Sequence, residues 1–199
     1  MSTIKPPMLL LAMPHVRDGF FEKSVILITE HNAKGAFGVA LNRLSPLHLE
    51  DVIFMEQKLP ITKSIPVWLG GPVELGSATI LEHLNKERED DLGFLLHSNE
   101  AILVRLMDHF SSELNINRSV NMHPKNASLF PYRFIVGFSS WMPQQLDREL
   151  AAGDWLQIDY DEELIFNTEI ENIWQNAFMK LGIAPSQIAA NTLNRSGLH

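Results

Sequence analysis

The stretch SVILITEHNAKGAFGVALNR, Ser24 to Arg43, decides how this chain folds. It holds two apolar runs, Ser24–Thr29 and Ala36–Leu41, on either side of the polar connection EHNAKG. Short Ile/Leu/Val runs bounded by polar, glycine-containing links read as buried strands. A link of this length predicts antiparallel pairing, with Gly35 in the left-handed position that a Cβ would obstruct. Glu30, His31 and Asn32 then fall at one end of the unit, and Asn42 and Arg43 at the far end of the second strand. Two readings stay open for them. A strand-end His and an Asn-Arg pair can serve as hydrogen-bonded structural groups, or they can be displayed for binding, as groups at strand ends often are.

Working outward, Met8–Met13 reads as a further strand, PVWLGGPVELGSATILEH as strand, Gly-Gly-Pro turn and strand, and Phe94–Leu96 as a short strand before His97. YRFIVGFSSW is a buried strand entering a turn. SPLHLEDVIF carries a helix start, with Ser45 as N-cap and Pro46 at the first helical position. SNEAILVRLMDHFSSEL places Ile102, Leu103, Leu106, Met107, Phe110 and Leu114 on one helical face. MPQQLDRELAAG is a helix with Pro143 near its start and Gly153 past its end, and WLQIDYDEELIF supplies one or two short strands. In the last helix Thr168 and Glu171 form a capping box, Ile170, Ile173, Trp174, Ala177, Phe178 and Leu181 make the stripe, and Gly182 ends it. LNKEREDDLG and NINRSVNMHPKNASLFP are polar connections. Irregular alternation with antiparallel hairpins predicts α+β, or α/β with a mixed sheet. A single domain over residues 1–185 is expected, followed by a weakly structured tail, 186–199.

Composition narrows the function classes. The chain has 199 residues, 45% hydrophobic and 20% charged, ordinary for a globular protein with a sizeable core. Its formal net charge of -8 repels phosphate backbones and anionic membranes, so direct nucleic-acid binding is disfavoured. With no cysteine there is no disulfide, thiolate nucleophile or thiolate metal site. The apolar run near the N-terminus is short for a signal segment, and no stretch approaches the ~20 residues that span a bilayer. A cytoplasmic protein without membrane contact is expected.

Three local patterns resemble chemistry without completing it. VGFSSW sets Ser139 two residues after a glycine, as in a nucleophile elbow, but Trp141 replaces the second glycine and only His199 follows in that chain order. The alternative is that small residues let the strand turn tightly. Glu30-His31 and Glu82-His83 are sequence neighbours whose side chains diverge on a strand, so no metal is expected. GGPVELG, Gly70 to Gly76, lacks the Lys-Ser/Thr of a phosphate loop and reads as a tight turn.

The segment LLLAMPHVRDGFFEKSVILITEHNAKGAFGVALNR resembles the N-terminal signature of the YqgE/AlgH family of bacterial proteins. Further matches follow in order: GGPV at Gly70, GFLLH at Gly93 to His97, GFSSW with QLDREL at Gly137 to Leu150, WL at Trp155, and LIF before the last helix. Leu44 stands where the family has Pro, Ser139-Ser140 where it has Ala-Gly, and Asn115 to Phe130 lacks its Thr/Ser-x-Asp pattern. The resemblance implies one compact α+β domain with a mixed, partly barrel-like sheet surrounded by helices. It implies no established reaction and no cofactor; some members are named as transcriptional regulators connected with alginate production.

Glu30, His31, Asn42, Arg43, Gly70, Gly71, His97, Trp141 and Gln145 occupy family-pattern positions at strand ends or turns. The working expectation is that several converge on one cleft, where Arg43 binds a carboxylate or phosphate, Glu30 and His31 orient it and Trp141 forms a wall. A non-catalytic regulatory or interaction protein, acting through a protein partner or a small-molecule ligand, is the leading reading. The alternative is an enzyme using His31 or His97 as acid-base beside Glu30 or Arg43.

Overall fold

A computed structural model describes residues 6–52, 66–83, 94–97 and 132–188. The first three strands, β1 (Met8–Ala12), β2 (Val25–Asn32) and β3 (Gly35–Ala40), form an antiparallel meander. They are the apolar runs of the opening stretch and its upstream neighbour, and the β2–β3 pairing is the expected hairpin. Asn32 shapes its two-residue turn by accepting the Lys34 N–H at 2.8 Å, and Gly35 takes a positive φ of 127°.

The remaining strands are β4 (Leu44–His48), β5 (Pro66–Leu69), β6 (Val73–His83), β7 (Phe94–His97), β8 (Tyr132–Trp141) and β9 (Trp155–Asp159). Together the nine make one sheet whose main path runs β4-β5-β8-β3-β2-β1-β9, with β6 on β8 and β7 on β6. Among the described residues only β5–β8 is parallel, so the sheet is mixed. It does not close into a barrel, because the path ends at β4 and β9. β8 serves three neighbours: Phe134–Val136 lie between β5 and β6, and beyond Gly137, at φ 67°, Ser139–Trp141 pair with β3.

The helices are α1 (Leu49–Val52), α2 (Gln145–Ala152), α3 (Glu162–Phe166) and α4 (Ile173–Lys180), the last preceded by a 3₁₀ turn, Ile170–Asn172. Three expectations are corrected. Ser45 and Pro46 lie in β4 instead of starting a helix, since an edge strand tolerates a residue without an N–H. DEELIF forms helix α3, capped by the Asp161 carboxylate accepting from Leu164 N at 2.9 Å. The Thr168/Glu171 box is not made; the 3₁₀ turn occupies that position with Glu169 at its N-cap and no side-chain cap bond. The helix expected over residues 98–114 and the two polar connections lie outside the described residues.

The meander is buried on both faces, which is why its strands are continuous apolar runs rather than alternating ones. Leu9, Leu11, Val25, Leu27, Val39 and Leu41 pack beneath α3 and α4 with Phe166, Ile173 and Phe178. Met8, Leu10, Ala12, Ile26, Ile28 and Ala40 pack on the opposite face with Trp141, Leu146 and Trp155. Fully burying each such aliphatic side chain is worth about 1.5–3 kcal/mol, more than a typical net hydrogen bond. The sheet is therefore the fixed frame on which the side chains of both faces sit.

Candidate functional site

A bulge in β2 decides where His31 points. The register slips between Ile28 and Glu30, so Ile28 opposes Gly38 while His31 opposes Ala36. One extra residue changes the parity of the strand and aims His31 at the α2 face. There its Nε2 lies 3.4 Å from Asp147 Oδ2 on α2, while Glu30 is exposed. The same helix gathers the other aromatic and amide groups. Glu149 Oε2 accepts from Trp141 Nε1 and from Trp155 Nε1, both at 2.8 Å. Its Oε1 accepts from Gln145 Nε2 at 2.9 Å, and Gln145 Oε1 accepts from Met142 N at 3.0 Å. His31 and Trp141 thus meet α2, and Gln145 lies in its first turn, chiefly as struts that hold the helix in place.

Asn42 and Arg43 stand at the opposite end of the hairpin. Asn42 Oδ1 accepts from Val25 N at 2.9 Å and Nδ2 donates to Lys23 O at 2.8 Å, so the side chain extends the ladder past the strand. Arg43 donates through Nε to Ser24 Oγ at 3.2 Å and through a terminal nitrogen to the Glu22 carbonyl, with its guanidinium 5.5 Å from the Phe20 ring centroid. Burial lowers its pKa, against the opposing pull of Glu22 and Asp18. Arg43 lies seven residues beyond Ala36, the cross-strand partner of His31, roughly 23 Å at about 3.3 Å per residue. His31 and Arg43 do not share a cleft.

Gly70 and Gly71 are demanded by close backbone approach. A Cβ on Gly71 would lie 2.0 Å from the Phe138 carbonyl, and one on Gly70 2.4 Å from Gly137 O. Ser139 Oγ is buried and donates to Gly70 O at 3.1 Å, a strut rather than a nucleophile facing a cavity. His97 pairs with Ile80 at the end of β7.

A concavity among the described residues lies on the other face. A groove of about 860 Å³ runs beside β9, α3 and α4, and its walls include Ile158, Tyr160, Ala177 and Leu181. It continues into a recess of about 430 Å³ past Asn167 and Met179. His83 enters the groove from β6, stacked on Phe166 with centroids 4.3 Å apart and Nε2 at 2.5 Å from Glu162 Oε1. Lys180 Nζ lies 2.5 Å from Asp161 Oδ2 and 3.7 Å from Glu163 Oε2. Its bond to Asp161 raises the lysine pKa. Burial pushes the Asp161 carboxyl up, but bonds from Lys180 and the Leu164 N–H outweigh it and hold the group below its usual range. Asp161, Glu162 and Glu163 stand against Lys180 and His83, so the lining is acidic.

Behind the groove Arg133 is fully buried, with its guanidinium 5.6 Å from the Trp68 ring and 5.2 Å from Phe166. It donates to Leu41 O at 3.0 Å and to the Ile165 carbonyl. Desolvation lowers its pKa to about 10, against a raising influence from Tyr160. Burial in turn raises the Tyr160 phenol, so it stays a neutral hydrogen-bonding group. Of these groove residues the sequence pattern raised only His83 as a candidate for chemistry, and it placed Ala177 and Leu181 on an apolar helix stripe. The available signal was Asp161-Glu162-Glu163, an N-cap with acids in a first helical turn.

Among the described residues no three His, Asp or Glu side chains cluster to hold a metal ion, and no helix is long and apolar enough to cross a membrane. What the groove can do is bind: it combines an apolar floor, oriented carboxylates and an open mouth.

Comparison with known proteins places this architecture. UPF0301 proteins of Aliivibrio fischeri and Vibrio cholerae are 33% and 32% identical, over 91% and 92% of this chain and 94% of each relative. A UPF0301 protein of Rickettsia massiliae is 34% identical over 87% of both chains. The solution structure of the AlgH protein from Pseudomonas aeruginosa superposes with a TM-score of 0.67, covering 96% of this chain and 97% of that one at 24% identity, a likeness of fold. A Corynebacterium diphtheriae crystal structure shares the fold at a TM-score of 0.63 and 22% identity, covering 90% of both chains. The family pattern described as AlgH-like matches residues 9–186, and with relatives above 30% identity along nearly their whole length, the chain belongs to the AlgH-like family.

Proposed function

We propose that this chain is a non-catalytic interaction protein of the cytoplasm, which docks a protein partner in the groove beside β9, α3 and α4. Any regulatory effect on transcription passes through that partner, since a net charge of -8 opposes direct contact with nucleic acid. The observation that carries the reading is the helix wall of the groove: Met179 and Leu181 are 60% and 44% exposed beside polar, oriented carboxylates. Apolar residues set among polar ones at a concave surface are the make-up of a docking site. A photo-crosslinking residue at Met179, installed in cells, is expected to give a discrete crosslinked partner. The same residue at Met142, 70% exposed beside α2, is expected to give none. Equal labelling at both positions, or none at Met179, overturns the reading.

A second reading, a small-ligand or catalytic site, is favoured by one observation. Glu162 holds the His83 imidazole at 2.5 Å inside the groove, as a general base requires. Thermal shifts with nucleotides, metabolites and divalent metals that disappear in His83→Gln would select it over partner docking.

A further inference from the structure

We propose that the groove receives an extended, basic segment of a partner protein, added as a strand to the outer edge of β9; the inference rests on the docking reading above. The two ends of the sheet's main path differ in how they are guarded. β4 carries Pro46 and an irregular register between Leu44 and His48, both of which hinder a further strand. β9, WLQID, pairs with β1 in unbroken register over all five residues and contains no Pro, Lys or Arg. Among the described residues β9 pairs with β1 alone, so its other edge offers backbone donors and acceptors.

That edge borders the groove. Ile158 and Asp159 of β9 form one side of it, and Ala177, Lys180 and Leu181 the other. An edge strand facing a helix across a groove is the frame in which peptides add to sheets, with main-chain bonds giving affinity and alternate side chains giving selectivity. At about 3.3 Å per residue, β9 offers roughly 17 Å of pairing length.

Charge selects the occupant. The carboxylates of Asp161, Glu162 and Glu163 outnumber the cationic groups, and the chain already shows the favoured chemistry: the Lys180 ammonium lodged between Asp161 and Glu163. A partner's Lys or Arg side chains would find the same acceptors. A second copy would instead bring its own Asp159 and a net charge of -8 to the edge, so self-addition is opposed.

The test uses the full chain and a fluorescein-labelled Lys-Val-Lys-Val-Lys-Val-Lys peptide. One control peptide has Glu in place of every Lys, and the other has Pro in place of the central Val. Fluorescence polarisation is expected to show the Lys/Val peptide binding at least about ten-fold more tightly than either control. Amide hydrogen exchange should slow over β9 when it binds. The variant Glu163→Lys is expected to lose about ten-fold in affinity while keeping its unfolding midpoint. No binding, equal binding of all three peptides, or protection outside β9 overturns the proposal. So does a free protein that sediments as a dimer with β9 already protected, since a second copy would then be the occupant. Crosslinking at Met179 that persists while β9 stays unprotected leaves partner docking standing and removes strand addition alone.

Discussion

On the α2 face of the sheet, Glu149 is committed to Trp141, Trp155 and Gln145, while His31 lies against Asp147. On the α3–α4 face the groove lies open, and Lys180 and Asp161 meet there with side chains 47% and 30% exposed. Both faces are anchored by equally buried aliphatic and aromatic side chains. What differs is the work of the polar groups: on one face they join elements together, and on the other they line a space. A polar cluster in a protein of this kind is therefore judged by what its donors and acceptors already hold, not by its residue types.

Four substitutions test that contrast. If the groove face were merely looser, Phe178→Ala would be cheap; instead it should cost about 3–5 kcal/mol, because Phe178 is fully buried on the inner side of α4. Urea unfolding measures this. On the α2 face Glu149→Ala strands two indole N–H groups and an amide, and should cost about 2–4 kcal/mol; Glu149→Gln, which retains an acceptor, should recover part of it. Lys180→Ala frees Asp161 and Glu163, and should tighten the Lys/Val peptide about three-fold with little change in stability. The smallest effect is on pH dependence. The Asp161 carboxyl is held below the usual aspartate value of 3.8, so its contribution is present above that value and lost as pH falls through its folded pKa. Asp161→Asn keeps an N-cap oxygen and should flatten the acid limb of the stability profile by about 0.5 kcal/mol, small because the pair is solvent-screened.

The strands were legible because burial on both faces leaves unbroken apolar runs, and β1, β2 and β3 fall where those runs lie. α3 was not, because Leu164, Ile165 and Phe166 are consecutive and all buried, leaving no helical period to read. Ser45-Pro46 misled because a helix start and an edge strand both suit proline. The α2 cluster was half visible, since Trp141 and Gln145 stood in the motif, but the acceptor that joins them is Glu149 on the following helix turn. The groove was nearly invisible. His83 and Glu162 are separated by 79 positions, and no local spacing encodes a meeting made by β6 and α3.

The Glu149 clamp also has an optical consequence. Trp141 and Trp155 are held on one carboxylate with ring centroids 6.0 Å apart and planes at 80°, while Trp68 and Trp174 lie in the other cluster. Two indoles fixed at such an angle and distance couple their electronic transitions, so the near-ultraviolet and far-ultraviolet dichroism of the protein should contain a couplet from this pair. Its loss during unfolding would mark the moment α2 leaves the sheet, apart from the melting of the rest, without any label being added.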